Sequence, residues 1–403
     1  MERPSRRRIL GDRNLQIVIA VLILGVCGGS LVGPMLPAML QPLHVSEEKV
    51  GLVLSVYTFW ALIRTPLLGI LADKLGRKTI LVPCTVCFGL GGLGIAVSRS
   101  FELVLLFRSL QGVCVGGMMN TGVTLIGDFF TGEDRARAMG YRISFQTITN
   151  SIIPFVSGAL ATLAWFYPFF IYSVGIPLGL IAATRLQWAT GNNQDPKPQR
   201  REYLVQVLRI VLHHRALWIF FCNFMGFVLL FALVVYMPIL VVREFEQTTM
   251  HAGLAITFAA GTAALISSQA GRLMSLFSEY WLVLVGFGLC GSALVLLTLP
   301  EGFVLLLLCF VLWGSGFGLL MPTLNTCATE LATSHFRAGV VSVFTTMIYL
   351  GQTVSPPLFG FVLGRTNLDT VFYLAGSLAL LPICFTLAEY AVHRGRKQVD
   401  SHS

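Results

Sequence analysis

The chain has 403 residues, of which 55% are hydrophobic and 12% charged, and its formal net charge is +9. That is too apolar for an ordinary soluble protein, and apolar runs of about 20 residues recur along nearly the whole length, so the chain reads as an all-α membrane protein of many spans. The positive charge does not point to nucleic acid, because the basic residues are spread over alternate loops and serve topology.

In chain order, residues 1–14 carry five arginines ahead of the first apolar run. That run is longer than a signal-peptide core and has no small-residue cleavage site, so it reads as a retained first helix. Periodicity predicts twelve helices, at 15–40, 49–72, 79–98, 102–128, 137–161, 165–186, 215–242, 250–273, 280–299, 302–330, 337–364 and 369–392. An even count places both termini on one side. That side holds 22 of the 28 arginines and lysines, while the opposite loops hold only Lys49, Arg99, Arg243 and Arg365. By the positive-inside rule both termini are cytoplasmic.

After the sixth helix, GNNQDPKPQRRE (191–202) has the polarity and prolines of a linker. The next stretch, YLVQVLRIVLHHR (203–215), is amphipathic and predicts a helix along the inner membrane surface, with His213 and His214 at the interface. The expected division is a six-helix bundle at 1–190, a linker with its interfacial helix at 191–214, and a second bundle at 215–403. All nine cysteines fall in apolar runs, where thiols act as small hydrophobes. Cys84-x-x-Cys87 has no second ligand pair beside it. No Walker loop and no dinucleotide fingerprint is present, which argues against ATP-driven chemistry in this chain. No nucleophile–base pair or metal cluster is visible, so an enzyme is not expected.

One loop is denser in information than the rest. GILADKLGRK (69–78) joins the second and third helices. Gly69 allows close backbone approach, and Gly76 permits the positive φ of a tight reversal. Asp73 can accept from the free N–H groups at a helix start, Arg77 offers a fork to a carboxylate, and Lys74 and Lys78 hold the loop on the cytoplasmic side. The string resembles the signature loop of the major facilitator superfamily, GxLADrxGRk, at every constrained position.

The two halves also repeat at a constant offset of 202 residues: Gly51 with Gly253, Gly69 with Gly271, Gly112 with Gly314, Gly116 with Gly318, Asp128 with Glu330, Arg135 with Arg337, and Pro154 with Pro356. The resemblance implies two six-helix bundles around a central path, with helices 3, 6, 9 and 12 outside. Intramembrane amides are costly in lipid and should face the path. They occur as Gln111, Asn120, Gln146, Asn150, Asn223, Gln269, Asn325 and Gln352, and none lies in helices 3, 6, 9 or 12.

Two arginines lie inside apolar runs. Arg64 shares a helix face with Tyr57 and Ala61 and sits eight residues from the cytoplasmic end, about 12 Å deep. Arg108 lies six residues past Glu102, about 9 Å from the outer surface, within reach of snorkelling. RSLQGVCVGG (108–117) nevertheless resembles the family's fourth-helix motif, RxxqGxgaa, whose arginine contributes to substrate or proton coupling. The expected substrate wall is Tyr57, Arg64, Arg108, Gln146 and Asn150 in the first half and Asn223, Gln269, Asn325 and Gln352 in the second. The expected gate is Gly69, Asp73, Gly76, Arg77, Asp128, Arg135, Glu330 and Arg337. By the resemblance, Asp73 caps the start of the eleventh helix near 337–339 and Arg77 pairs with Asp128.

Departures from the family pattern qualify the reading. At the positions of the antiporter motif GxxxGPxxGG the fifth helix has Thr149, Ile153, Pro154, Ser157 and Gly158, and the eleventh has Gly351, Ser355, Pro356, Phe359 and Gly360. The second-half loop GRLMSLFSEY (271–280) has lost its Asp and most of its basic residues. No Asp or Glu lies in the middle of any helix. Proton coupling is left to Asp128, Glu330 and Glu389 near the cytoplasmic ends. The expected protein is a monomeric multi-pass transporter of the cell (inner or plasma) membrane, needing no cofactor, with a proton gradient as a possible driving force. It exports a small amphipathic organic compound, neutral or anionic, and resembles the drug and metabolite efflux branch. The alternatives are a facilitator or uptake carrier for an organic anion, a lipid flippase, and a non-transporting receptor or assembly factor on the same fold.

Overall fold

The computed structural model describes residues 9–186, 200–299, 302–331 and 336–400, and the regular structure in them is entirely helical. Residues 191–199, most of the expected linker, lie outside the described residues, as does the arginine-rich stretch 1–8. The first half contains helices Arg13–Ser30, Leu52–Leu75, Arg77–Val97, Phe101–Phe129, Gly132–Leu163 and Gly175–Arg185. The second contains His214–Arg243, Thr249–Ser268, Glu279–Leu296, Phe303–Glu330, Arg337–Leu363, Leu368–Leu378 and Leu380–Asp400.

Helices break where the backbone chemistry demands it. The first apolar run is not one helix to residue 40. It ends at Ser30 and continues as a 3-10 turn Gly33–Met35 and a short helix Leu36–Met39. Pro34 and Pro37 supply no N–H to an α ladder, so the run cannot stay regular through them. The sixth run begins as a 3-10 helix, Tyr167–Val174, with Pro168 in its first turn. The eighth stops at Ser268, bends at Gln269 (φ −96°, ψ 0°) and resumes as Ala270–Leu276. The amphipathic stretch forms the 12-residue helix Arg200–Val211, which buries Val207 and exposes Val205 and Leu208.

Among the described residues, ten helical runs are long and apolar enough to cross a membrane. Gly132–Leu163 (32 residues) and Arg337–Leu363 (27 residues) are long enough but more polar. The outward faces suit lipid: Leu163 is 73% exposed, Leu265 71% and Val304 78%. Such surfaces are tolerated only where the surroundings are as apolar as the side chains.

The chain divides into two compact units, Met1–Asn193 with Val241–Thr257, and Gln194–Leu240 with Phe258–Ser403. The short segment 241–257 of the second half therefore belongs with the first unit. Within the first unit, Arg77–Val97 packs on Phe101–Phe129 and on the sixth run. Within the second, Glu279–Leu296 packs on Phe303–Glu330 and on the last two helices.

The 202-residue repeat is visible as contact geometry. A Cβ on Gly112 would run into the backbone carbonyl of Tyr57, and one on Gly314 would run into that of Ala259. Both members of the pair are shifted by the same offset. A second device joins the fifth helix to the first and the eleventh to the seventh. The Ser157 hydroxyl donates to the Leu31 carbonyl, and the Ser355 hydroxyl donates to the Val228 carbonyl at 2.6 Å. These serines stand at two positions where the antiporter motif has glycine, so the departure from that motif replaces bare contact with a hydrogen bond.

Gly112→Val and Gly314→Val should therefore each disrupt their own unit. The added atoms meet backbone, which cannot give way as a side chain can, so a loss of about 1–3 kcal/mol or more is expected. Thermal unfolding of the purified variants, monitored by fluorescence, checks this, with Gly261→Ala, where a Cβ meets nothing within 4 Å, as the neutral control.

Candidate functional site

The 69–78 loop is tight because one residue makes the whole turn. Gly76 has φ 97° and ψ 141°, and it ends helix Leu52–Leu75 and begins helix Arg77–Val97 without further loop. That reversal puts Arg77 at a fixed place beside the C-terminus of helix Phe101–Phe129. Its guanidinium pairs with Asp128 and donates from Nη1 to the Thr124 carbonyl at 3.2 Å. A carboxylate in the last turn of a helix opposes the helix dipole, and the arginine compensates for it. Lys78 reaches the Leu186 carbonyl at 3.1 Å, closing the end of the sixth run in the same way. Gly69 lies under the side-chain amide of Asn120. Asp73 is exposed, and Arg135 is exposed with its guanidinium over Gly127.

The expected wall of the first half separates into two groups. Arg108 does not snorkel, and neither it nor Tyr57 lies on an open wall, because Arg108 is fully buried and Tyr57 is 4% exposed. The guanidinium of Arg108 donates to the Gly28 carbonyl (3.1 Å), the Val53 carbonyl (3.3 Å) and the Gln111 Oε1 (2.9 Å). Its carbon lies 4.9 Å from the Tyr57 ring centroid and 5.9 Å from those of Phe169 and Tyr172. Gln111 in turn donates to the Phe88 carbonyl at 3.1 Å. One cation thus ties together the first, second, fourth and sixth runs, and Gln111 adds the third.

Arg64 belongs to the second group. It is exposed, and its guanidinium carbon lies 5.5 Å from the Trp60 ring centroid. Asp128, a carboxylate it could have used, is engaged by Arg77. On helix Gly132–Leu163, Gln146 is partly buried and Asn150 exposed. Arg142 falls one turn before Gln146 on the same face. Arg142 lies inside the expected 137–161 helix, but no site role is expected for it from the sequence, and the observed helix is longer at its start. It starts at Gly132, with Glu133 and Asp134 in the first turn. That acidic first turn is the signal that would have placed the start correctly.

In the second unit Asn223 is fully buried rather than wall-lining. Its Nδ2 donates to the Phe344 carbonyl at 2.8 Å, and its buried Oδ1 has no partner. Gln269 is exposed at the helix break, where its Oε1 accepts from Arg272 at 3.4 Å. Asn325 is exposed and Gln352 partly buried. Glu330 and Arg337, the expected gate residues of this half, are both exposed. A further charged group was not foreseen: the His214 ring lies with Nδ1 2.7 Å from Oε1 of the buried Glu389, and Arg215 pairs with Glu279 at 2.7 Å.

Long helices with apolar exposed faces, two units that share one repeat, and a buried arginine and amides within them define a polytopic helical membrane protein. A model of the Major Facilitator Superfamily matches residues 18–356, with a further match over 251–401, and the chain belongs to that superfamily. It is 24% identical to the bacillibactin exporter of Bacillus subtilis (strain 168) over 369 residues, covering 88% of this chain and 91% of the relative. It is 27% identical to multidrug resistance protein 1 of the same organism, covering 93% and 96%. With the quinolone resistance protein NorA of Staphylococcus aureus (strain MRSA252) it shares 26% identity, covering 95% and 97%. The fold matches that of the nucleoside transporter NupG with a TM-score of 0.79 at 16% identity, covering 94% of this chain and 99% of that one. It also matches that of a bacterial homolog to the human lysosomal transporter Spinster, with a TM-score of 0.78 at 15% identity, covering 97% and 96%.

The burial of Arg108 generates a prediction. Arg108→Met should destabilise the first unit, because each buried partner left unmet costs about 1–3 kcal/mol. Arg108→Lys should recover little of that, since an ammonium cannot reproduce a planar fork. Melting curves and detergent-extractable yield read the effect.

Proposed function

We propose that this chain is a twelve-helix transporter of the cell membrane, with cytoplasmic termini, that exports small amphipathic organic compounds by alternating access. The observation that carries the export reading is near full-length similarity to an exporter and two drug-resistance proteins. The twelve-helix count adds the polar helices Gly132–Leu163 and Arg337–Leu363 to the ten apolar runs. Polar helices of that length suit a water-filled path, where amides cost less than they do against lipid.

In this reading the substrate contacts come from Arg64, Gln146 and Asn150 in the first half and Gln269, Asn325 and Gln352 in the second. Arg108, Tyr57 and Asn223 hold the helices that present them. The gate forms from Gly69, Asp73, Gly76, Arg77, Asp128, Arg135, Glu330 and Arg337, with Asp73 capping the start of the 337–363 helix when the cytoplasmic side closes. The protein works as a monomer in the bilayer with no cofactor. A proton gradient drives it through carboxylates at helix ends, of which Asp128 and Glu330 are repeat partners.

Inverted membrane vesicles test the proposal. With an imposed pH gradient they should accumulate an amphipathic dye, and an uncoupler should abolish accumulation. Accumulation only in right-side-out vesicles would instead mark an uptake carrier. Asp73→Asn should lower turnover by about tenfold, the loss expected when a charge-assisted helix cap of about 1.4 kcal/mol goes missing, while protein level stays near that of the wild type. Arg64→Lys should keep part of the transport if only charge is needed. If Arg64→Ala melts like the wild type and binds the dye with unchanged affinity, Arg64 is not a substrate contact.

A further inference from the structure

Arg142 is chemically out of place among the buried and part-buried basic side chains of the first unit. Arg77 has Asp128, Arg108 has three hydrogen-bond acceptors, Arg137 has Glu133 at 3.3 Å and Asp134 at 3.7 Å, and Arg243 has Glu47 at 3.0 Å. Arg64 at least lies against Trp60. Arg142 is partly buried, and its Nε is closed off from solvent with no hydrogen-bond partner. Among the described residues its guanidinium has no ion pair, hydrogen bond or ring contact.

Its setting makes this more than a loose surface arginine. Arg142 is ten residues into helix Gly132–Leu163, about 15 Å along the helix axis. Ala138, one turn earlier, and Thr149, two turns later, are buried on the same face. The carboxylates on its own helix, Glu133 and Asp134, are more than two turns away and engaged by Arg137. Gln146 follows one turn on, and Asn150 one turn after that, so a cation and two amides run along one side of a helix too polar to face lipid.

A part-buried guanidinium without a counter-charge is a site that selects for one. Its planar fork matches the two oxygens of a carboxylate, and attraction strengthens as water is excluded. The Gln146 and Asn150 amides can donate to the same group or to a neighbouring carbonyl. We propose that Arg142, with Gln146 beside it, is the counter-charge for a carboxylate on the transported compound, so that the favoured substrates are amphipathic organic acids. This rests on the transporter reading and specifies its substrate class. Among the described residues of the first unit, no carboxylate lies in the middle of a long helix to favour a cationic compound instead.

The test uses purified full-length protein in nanodiscs of uncharged phosphatidylcholine, with two probes of nearly identical shape, 7-diethylaminocoumarin-3-carboxylate and its neutral carboxamide. Fluorescence anisotropy should show the wild type binding the carboxylate at least about tenfold more tightly than the amide. Arg142→Gln should remove that preference by weakening carboxylate binding alone, and Arg142→Lys should retain part of it. A structural strut would instead weaken both probes together. That result, an unchanged preference in Arg142→Gln, or no preference in the wild type overturns the proposal, and the wild-type comparison holds even if the glutamine variant does not fold. Flux of the same probes into proteoliposomes separates the two claims. Charge-selective binding without flux defeats the transporter reading and leaves the site, whereas flux without charge selectivity does the reverse.

Discussion

The structure depends on helices meeting backbone to backbone at Gly112 and at Gly314. In a bilayer, two apolar helices gain nothing from hiding from water, so they associate through close packing and polar contact. A side chain at either glycine would collide with the carbonyl of Tyr57 or Ala259 and hold the helices apart. The closeness has consequences farther along the same seam. It brings Tyr57 over the Arg108 guanidinium, and it lays the Asn120 amide on Gly69 next to the turn that aims Arg77. The packing constraint and the electrostatics of the first unit are therefore one arrangement.

That unit answers its most deeply placed positive charges internally. Arg108 is satisfied by carbonyls, an amide and three aromatic faces, so its charge is spread over four runs without a single carboxylate. Arg77 is satisfied by a carboxylate and a helix end. Arg64 and Arg142, both well inside long helices, have no acidic partner among the described residues. A guanidinium without an acidic partner, on a helix that also carries amides, attracts negative or electron-rich groups.

The helical membrane character, the position of nearly every helix and the internal repeat were legible because apolar length, loop punctuation and glycine spacing are written directly in the chain. The 69–78 string also foretold the chemistry of its turn. Gly76 has a positive φ and Arg77 lies at Asp128. What could not be read was direction within a helix. The motif marked Arg108 as special, but burial and three acceptors depend on where the Gly28 and Val53 carbonyls fall, and no local pattern encodes that. Asn223 looked like a cavity amide and instead holds the Phe344 carbonyl. Breaks at Pro34, Pro37 and Gln269 were hidden inside long apolar runs. Arg142 lay inside the expected fifth helix, but a lone arginine near a cytoplasmic helix start reads as topology, and its lack of a partner shows only once the neighbouring side chains are placed.

The segment 241–257 lies after the linker in sequence yet belongs to the first unit. There the Thr249 hydroxyl donates to the Gly158 carbonyl at 2.8 Å, and Gly253 lies against the backbone of Pro154. The first unit is thus finished by a piece of chain that a ribosome delivers about 90 residues after the Pro154–Gly158 turn of the helix that receives it. During synthesis the first six runs can enter the membrane in order, but this face of the fifth helix stays uncovered until the seventh run has been threaded. Covering that face therefore waits on translation of the second half, and a chain cut at the linker would lack the segment that covers it.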